Sequence, residues 1–437
     1  MRTYLMVMIG MLGLPAFAQT EFTSLDEVFN YADQHTVALK SASLSEEIAS
    51  AGAKESKAYL FPSISAGAGY TDNITLQPTL VPSQLLKPLA EEGTFDELTF
   101  GKKYVYAAGI TAQWDILNFQ RQFASQTANI LAEEQKVNTQ KTKFNTYNQL
   151  ASIYYSIVLT QEAISIYEEN AKVSSKIYAS AQEKYLAGVI REAELNAAEI
   201  KSLSTRSTLV EAQENLKSYY LQLQSLLSTA DEIMVSDRPE DFKLRDTIIS
   251  NTHPEILWQE LEVEKSESIL KQKKSLHLPT TSIFYQYNYN WAGDDFFQFS
   301  DVSDLPQQYL GLKLNIPIFQ GFSTRQKVLQ SKQELALQKL QLENTKLLKQ
   351  KEDELLLQEL ATSAQRLKDQ GEILALQKKN DEHIDNNYQN GLINLDERLD
   401  KYEDLLMMQN NYLQSLASFT LAKYKIHIRQ IDFNSYE

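Results

Sequence analysis

Few residues of this chain have the types and spacing that do chemistry. The five histidines, His35, His253, His277, His383 and His427, are scattered, and no two stand at the spacing of zinc ligands. Glu382 and His383 lie beside Asp381 and Asp385, a cluster that reads as a solvated helix face. There is no cysteine, which removes disulfide scaffolds, thiolate zinc sites and cysteine nucleophiles together. No G-x-S-x-G elbow, P-loop or G-x-G-x-x-G fingerprint occurs, and Gly67 and Gly69 read as strand glycines. Glu397 and Asp400, three residues apart, share one helix face, and acids early in a helix stabilise its N-terminus through the dipole. The tract Lys271 to Lys274 has the charge that suits a helix C-terminus. No catalytic constellation emerges, so neither an enzyme nor a cofactor or metal is expected.

The elements that position these residues are legible from punctuation. The chain has 437 residues, a formal net charge of −15, ten prolines and 14 glycines. No proline lies in 89–238 and none follows Pro317; between Gly109 and Gly293 the only glycine is Gly188. Turns draw on Gly and Pro, so such gaps mean very long helices and argue against a compact enzyme. The pI near 5.0 argues against nucleic acid as a partner. A mean hydropathy of −0.37 excludes a helical membrane protein.

At the N-terminus, Arg2 precedes an apolar run from Tyr4 to Leu14, and Ala16, Phe17 and Ala18 precede Gln19. This is the pattern of a secretory signal peptide over 1–18, cleaved after Ala18. Gln19 stands where a lipid-anchored precursor would need cysteine. The rest of the chain has no apolar stretch of 18 residues, so any membrane part must be β-strands.

The chain repeats itself. Tyr185, Gly188, Val189 and Ile190 recur 203 residues later as Tyr388, Gly391, Leu392 and Ile393. Asp115 to Gly188 is 73 residues, and Pro317 to Gly391 is 74. Leu60, Phe61 and Pro62 correspond to His277, Leu278 and Pro279. The reading is repeat 1 over 19–228, a linker over 229–251, and repeat 2 over 252–437. Each repeat is a helix, two strands and a long helical hairpin turning at Gly188 or Gly391.

Strands with period-two alternation are expected at about 61–72, 103–117, 280–291 and 309–319. One face carries residues such as Ile64, Tyr106, Trp114, Tyr285, Tyr287, Trp291, Leu312 and Ile318; the other is small or polar. A soluble sheet with one wet face gives the same alternation. The export signal favours a membrane sheet, whose strands need roughly 9–11 residues. The stretches 76–92 and 292–308 are read as loops.

The helices carry heptad seams: Leu395, Leu399, Tyr402, Leu406, Gln409, Leu413 and Leu416 in one, Ile130, Val137, Phe144, Ala151 and Val158 in another, and Ala212, Leu216, Tyr219, Leu223 and Leu226 in a third. Four strands cannot close a barrel, since about eight is the practical minimum, and open edges do not survive in lipid. Closure demands an oligomer.

At this point the chain resembles the TolC-like outer membrane efflux proteins. The resemblance rests on the strand starts at Leu60-Phe61-Pro62 and His277-Leu278-Pro279, the run I-P-I-F-Q-G-F at 316–322, and the tips around Gly188 and Gly391. It implies a mainly α fold with a membrane β part: a homotrimer forming a 12-stranded β-barrel in outer-membrane lipid and a 12-helix α-barrel across the periplasm. It implies the exit duct of a tripartite pump or type I secretion system, with a periplasmic adaptor and an inner-membrane transporter as partners. By position, the adaptor contacts would be Gly188 with Val189 and Gly391 with Leu392, and the periplasmic gate Tyr388, Glu397, Asp400 and Glu194. Some members of that family carry a basic residue two past the second glycine. Here it is Ile393, for which Arg398 or Arg191 could substitute. The competing reading is an exported coiled-coil scaffold of the cell envelope, which explains the heptads but not the strands or the repeat register.

Overall fold

The computed structural model describes residues 20–239, 248–249, 252–297 and 303–433. The expected signal peptide lies outside the described residues, as does part of the expected linker. In chain order the elements are β1 (Thr20–Phe22), α1 (Leu25–His35), α2 (Val37–Glu55), β2 (Ser63–Asp72), β3 (Pro78–Pro82), β4 (Phe95–Thr99), β5 (Tyr104–Leu117), α3 (Phe119–Leu186), α4 (Glu192–Leu227), β6 (Ile233–Val235), α5 (Pro254–Ser275), β7 (Thr280–Gly293), β8 (Ser303–Asn315), α6 (Ser323–Gln389) and α7 (Leu395–Gln430). The helix lengths come in pairs: α3 and α6 have 68 and 67 residues, and α4 and α7 have 36 each. No helix among the described residues is long and apolar enough to cross a membrane.

Two compact units divide the chain, one of 48–133 with 261–339, the other of the remaining segments. The first holds an antiparallel sheet in the order β2-β5-β7-β8, with β2 and β8 as open edges. Its register aligns the apolar residues of all four strands. Ile64, Ala112, Tyr285 and Leu310 form one cross-strand row; Tyr70, Tyr106 and Trp291 form another, which ends on Asp304 of β8. The opposite face is small and polar, and Gly109 sits where a Cβ would collide with Asn288. Phe284, Tyr309 and Leu305 are larger members of that face, and the Phe284 ring covers Gly311, filling the space a side chain would take.

The fourth strand differs from the expected 309–319. It runs from Ser303 to Asn315, so 303–308, read as loop, is strand. Pro306 concealed it, yet an edge strand is the place in a sheet where proline is tolerated. Residues 316–319 lie outside the strand, where Pro317 ends the pairing. The stretch 76–92 is not all loop either: β3 pairs antiparallel with β4 in a hairpin. A parallel pairing of β1 with β6 has no period-two signal, because each strand is only three residues long.

The second unit is helical. Its main core joins β1, α1, α3, α4, β6 and α7 through Phe22, Val28, Phe29, Leu150, Tyr154, Leu223, Leu227 and Ile428. Phe29 stacks on Tyr147 at 3.9 Å between centroids. Of the expected seam of α7, Leu395, Leu399, Tyr402, Gln409 and Leu416 are buried. His253, just before α5, accepts a hydrogen bond at Nδ1 from the Glu255 N–H at 3.0 Å and meets the Phe144 ring. Burial, with Lys349 and Arg429 nearby, pushes its pKa down to about 4. The native imidazole is therefore a neutral cap.

Below pH ~6.5 the unfolded chain binds a proton that native His253 refuses, so stability falls as pH drops toward ~4. Thermal melts at pH 7 and pH 5 are expected to show the wild type losing more than His253→Asn, which keeps the capping acceptor, by on the order of 1 kcal/mol.

Candidate functional site

The two hairpin turns are built alike. In the first, the Gly188 N–H donates to the Tyr185 carbonyl at 2.9 Å and the Val189 N–H to the Lys184 carbonyl at 2.8 Å. In the second, the Gly391 N–H donates to Tyr388 at 3.1 Å and the Leu392 N–H to Asn387 at 2.9 Å. Each is a Schellman closure, which requires a left-handed residue after the helix. Gly188 has φ +71 and Gly391 φ +72. Neither has a heavy atom within 4 Å of the position a Cβ would take, and Val189 and Leu392 are 70% and 73% exposed. Both tips thus offer open backbone beside one apolar side chain.

The helices leaving the turns begin with different caps. Asn394 accepts at Oδ1 from the Glu397 N–H at 2.8 Å. In the first hairpin Arg191 occupies the cap, its N–H donating to Glu194 Oε2 at 2.8 Å and its guanidinium to Oε1 at 2.9 Å. These bonds hold the Glu194 carboxyl below the usual carboxylate range. Glu397 and Asp400 are exposed, and neither pairs with a cation of its own chain among the described residues.

Beneath the tips lies a core of Ile177, Ala181, Ala198, Leu374, Leu395, Leu399 and Tyr402. Tyr388 belongs to it, at 1% exposure, whereas its counterpart Tyr185 is 38% exposed. The Lys184 ammonium stands 3.5 Å from the Tyr388 ring centroid. The Tyr388 hydroxyl is buried without a hydrogen-bond partner among the described residues.

Residues 381–385, read as a solvated face, are the largest surprise. Arg398 is 1% exposed and donates from Nη1 to Asp381 at 2.7 Å and from Nε to Asp385 at 3.3 Å. It also lies over the Tyr402 ring, whose hydroxyl donates to the Asn170 carbonyl at 2.8 Å. Burial pushes the Asp381 carboxyl up, and Arg398 pulls it back toward ionisation. One clue was present in the sequence. Arg398 stands on the apolar stripe of Leu395, Leu399 and Tyr402, where an unpaired cation is not tolerated. Two hundred and three residues earlier the same three positions are Tyr178, Gln182 and Leu195, an uncharged arrangement. The second tip alone carries an ionic clasp between its helices. Ile393 packs against this core.

Residues 29–229 match the family described as outer membrane efflux protein. That stretch of the chain is similar to the family. A membrane protein from Pseudomonas aeruginosa is similar in structure, with a TM-score of 0.78 at 14% identity over 93% of this chain and 92% of that one. The VceC outer membrane protein of Vibrio cholerae gives 0.73 at 15% identity, covering 94% and 96%. The CmeC outer membrane channel of Campylobacter jejuni gives 0.72 at 17% identity, covering 93% and 83%. At such identities the likeness is one of fold, and it extends over more than nine tenths of this chain. No curated protein sequence matches the chain.

Replacing Arg398 with Ala leaves Asp381 buried and unpaired, at a cost of about 3 kcal/mol. A clear fall in melting temperature is expected. The triple variant Arg398→Leu, Asp381→Tyr, Asp385→Gln, which copies the first tip, is expected to recover most of it. Gly391→Ala is expected to cost about 1 kcal/mol through its positive φ alone, read by the same melts.

Proposed function

We propose that this chain is the outer-membrane exit duct of a tripartite efflux pump or type I secretion system. The carrying observation is the four-stranded sheet with two open edges and one face that is apolar over β2, β5, β7 and the second half of β8, in a chain whose long helices carry only narrow buried seams. Three copies would join β8 of one to β2 of the next and close a 12-stranded barrel, leaving no backbone edge in lipid. The helical hairpins of the three copies would line a water-filled tunnel in the periplasm. The expected repeat boundaries and leader belong to this reading.

In the trimer, Glu397 and Asp400 form two rings of three carboxylates near the periplasmic mouth, and their freedom from cations of their own chain supports that role. Glu194, bound by Arg191, adds a weaker third ring, and Tyr388 lies just inside. The exposed tips at Gly188, Val189, Gly391 and Leu392 dock a periplasmic adaptor, which links the duct to an inner-membrane transporter. The transporter supplies the energy and selects the cargo; the duct performs no bond chemistry.

The fractionated protein is expected in the outer membrane as a species that migrates as a trimer on unboiled SDS gels and as a monomer after boiling. A soluble periplasmic species would sink the proposal. In planar bilayers, Glu397→Ala with Asp400→Ala is expected to raise single-channel conductance severalfold and to weaken block by divalent cations. Unchanged conductance would remove both acids from the gate.

A further inference from the structure

The chain carries an excess of acid, 57 Asp and Glu against 42 Lys and Arg, yet one zone reverses that balance. The register places the start of β2, the end of β5, the start of β7 and the end of β8 at the same end of the sheet: Ser63 faces Gln113, Leu117 faces Thr281, and Thr280 faces Asn315. The four segments that leave the sheet there are 54–62, 116–132, 268–279 and 316–333. They hold Lys54, Lys57, Arg121, Lys271, Lys273, Lys274, Arg325, Lys327 and Lys332, nine cations, against one acid, Glu55. Arg121 pairs with Asp115 at 3.3 Å. None of the other eight has a side-chain ion pair among the described residues. The opposite end is the reverse: among the described residues, 72–103, 293–297 and 303–304 hold eight acids and three lysines.

Apolar side chains share the basic end. Ile318 is 94% exposed and Phe319 72%, with Phe61, Ile316 and Phe322 also exposed. Phe319 and Phe322 meet edge to face at 5.3 Å. A shallow cavity of about 120 Å³ lies at this corner, lined by Ile318, Phe319 and Phe322 together with His277 and the exposed Arg325. An unscreened row of cations next to exposed aromatic and aliphatic groups, at the rim of an apolar sheet face, fits one kind of partner: a headgroup whose phosphate is anionic and whose acyl chains follow the sheet. A small anion would satisfy the cations but leave the apolar groups in water.

We propose that this basic collar binds anionic phospholipid in the leaflet from which the helices emerge, with the phosphate held by Arg325, Lys327, Lys271 and Lys274 and the acyl chains against Ile318, Phe319 and Phe322. The inference rests on the membrane reading of the sheet. It fixes the depth of the barrel, because the collar must lie at headgroup level, and it gives the two ends of the sheet opposite charge, so that only one insertion direction places cations against this leaflet.

The test uses the full-length protein in vesicles of equal phosphatidylcholine and phosphatidylglycerol, extracted gently, with retained lipids counted by native mass spectrometry. Phosphatidylglycerol is expected to exceed phosphatidylcholine about fivefold or more at low salt, since each cation near an anionic surface contributes about that factor. The ratio is expected to approach one in 0.5 M salt, roughly where the Debye length falls below ~5 Å. The variant Lys271→Gln, Lys274→Gln, Arg325→Gln, Lys327→Gln is expected to lose the preference. Lys368→Gln, Lys378→Gln, Lys379→Gln, exposed lysines far along α6, is expected to keep it. Equal retention of both lipids by the wild type, or an unchanged ratio in the collar variant, would overturn the inference. Displacement by equimolar inorganic phosphate would overturn it in favour of a small-anion site. Protein that never enters the vesicles would instead sink the membrane reading itself.

Discussion

Every second peptide group of β2 and of β8 points its N–H and C=O away from the sheet, with no strand among the described residues to receive them. In water such an edge is tolerable; in hydrocarbon each unsatisfied group costs several kcal/mol. The remaining features accommodate that constraint. One sheet face is apolar over β2, β5, β7 and the second half of β8, with Asp304 and Gln308 on it only in the first half of β8. Pro306 lies on the edge strand β8, the place in a sheet where proline is tolerated. A protomer of this shape is an incomplete object, and the proposed closure by further copies completes its backbone hydrogen bonding.

The helices follow a different logic. Their buried seams are narrow, and large apolar residues remain exposed on them, such as Leu340, Leu347 and Leu355 on α6 and Ile200, Leu203 and Leu221 on α4. A helix with one seam toward its own hairpin and another still exposed is suited to a wall of side-by-side helices. The great length of α3 and α6 then needs no internal turn, which is why Pro and Gly vanish from those stretches. Gly371 is the exception within α6, and a Cβ there would meet the Tyr412 ring at 3.8 Å, an ordinary contact.

The two tips show where the repeat was allowed to diverge. Their turns are the same to within a few tenths of an ångström, because chain reversal after a helix has few solutions. The layer beneath them is not the same. One hairpin packs Tyr178 and Leu195, and the other holds Asp381, Asp385 and Arg398, with Tyr388 drawn into the core. A buried ionic clasp contributes less net stability than well-packed apolar groups but resists partial rearrangement, since opening it leaves charges unpaired. That distinguishes the second hairpin, which also carries the free acids Glu397 and Asp400, as the half of the protomer with a defined electrostatic state.

The sequence alone determined the classes and order of the major elements. Long helices follow from missing breakers, strands from strict alternation, and both tips from glycines at a fixed interval. These signals are local, set by backbone sterics and by which residues must avoid water. Its failures have one cause. β1 and β6 are too short for a period, Pro306 masked the first half of β8, and the role of Asp381 and Asp385 depended on Arg398, 13 and more residues away across a turn. Only the tertiary structure decided that Tyr388 is buried while Tyr185 is not, and that four basic segments meet at one end of a sheet. Such facts depend on which side chains are brought together from distant parts of the chain, and no local pattern encodes that meeting.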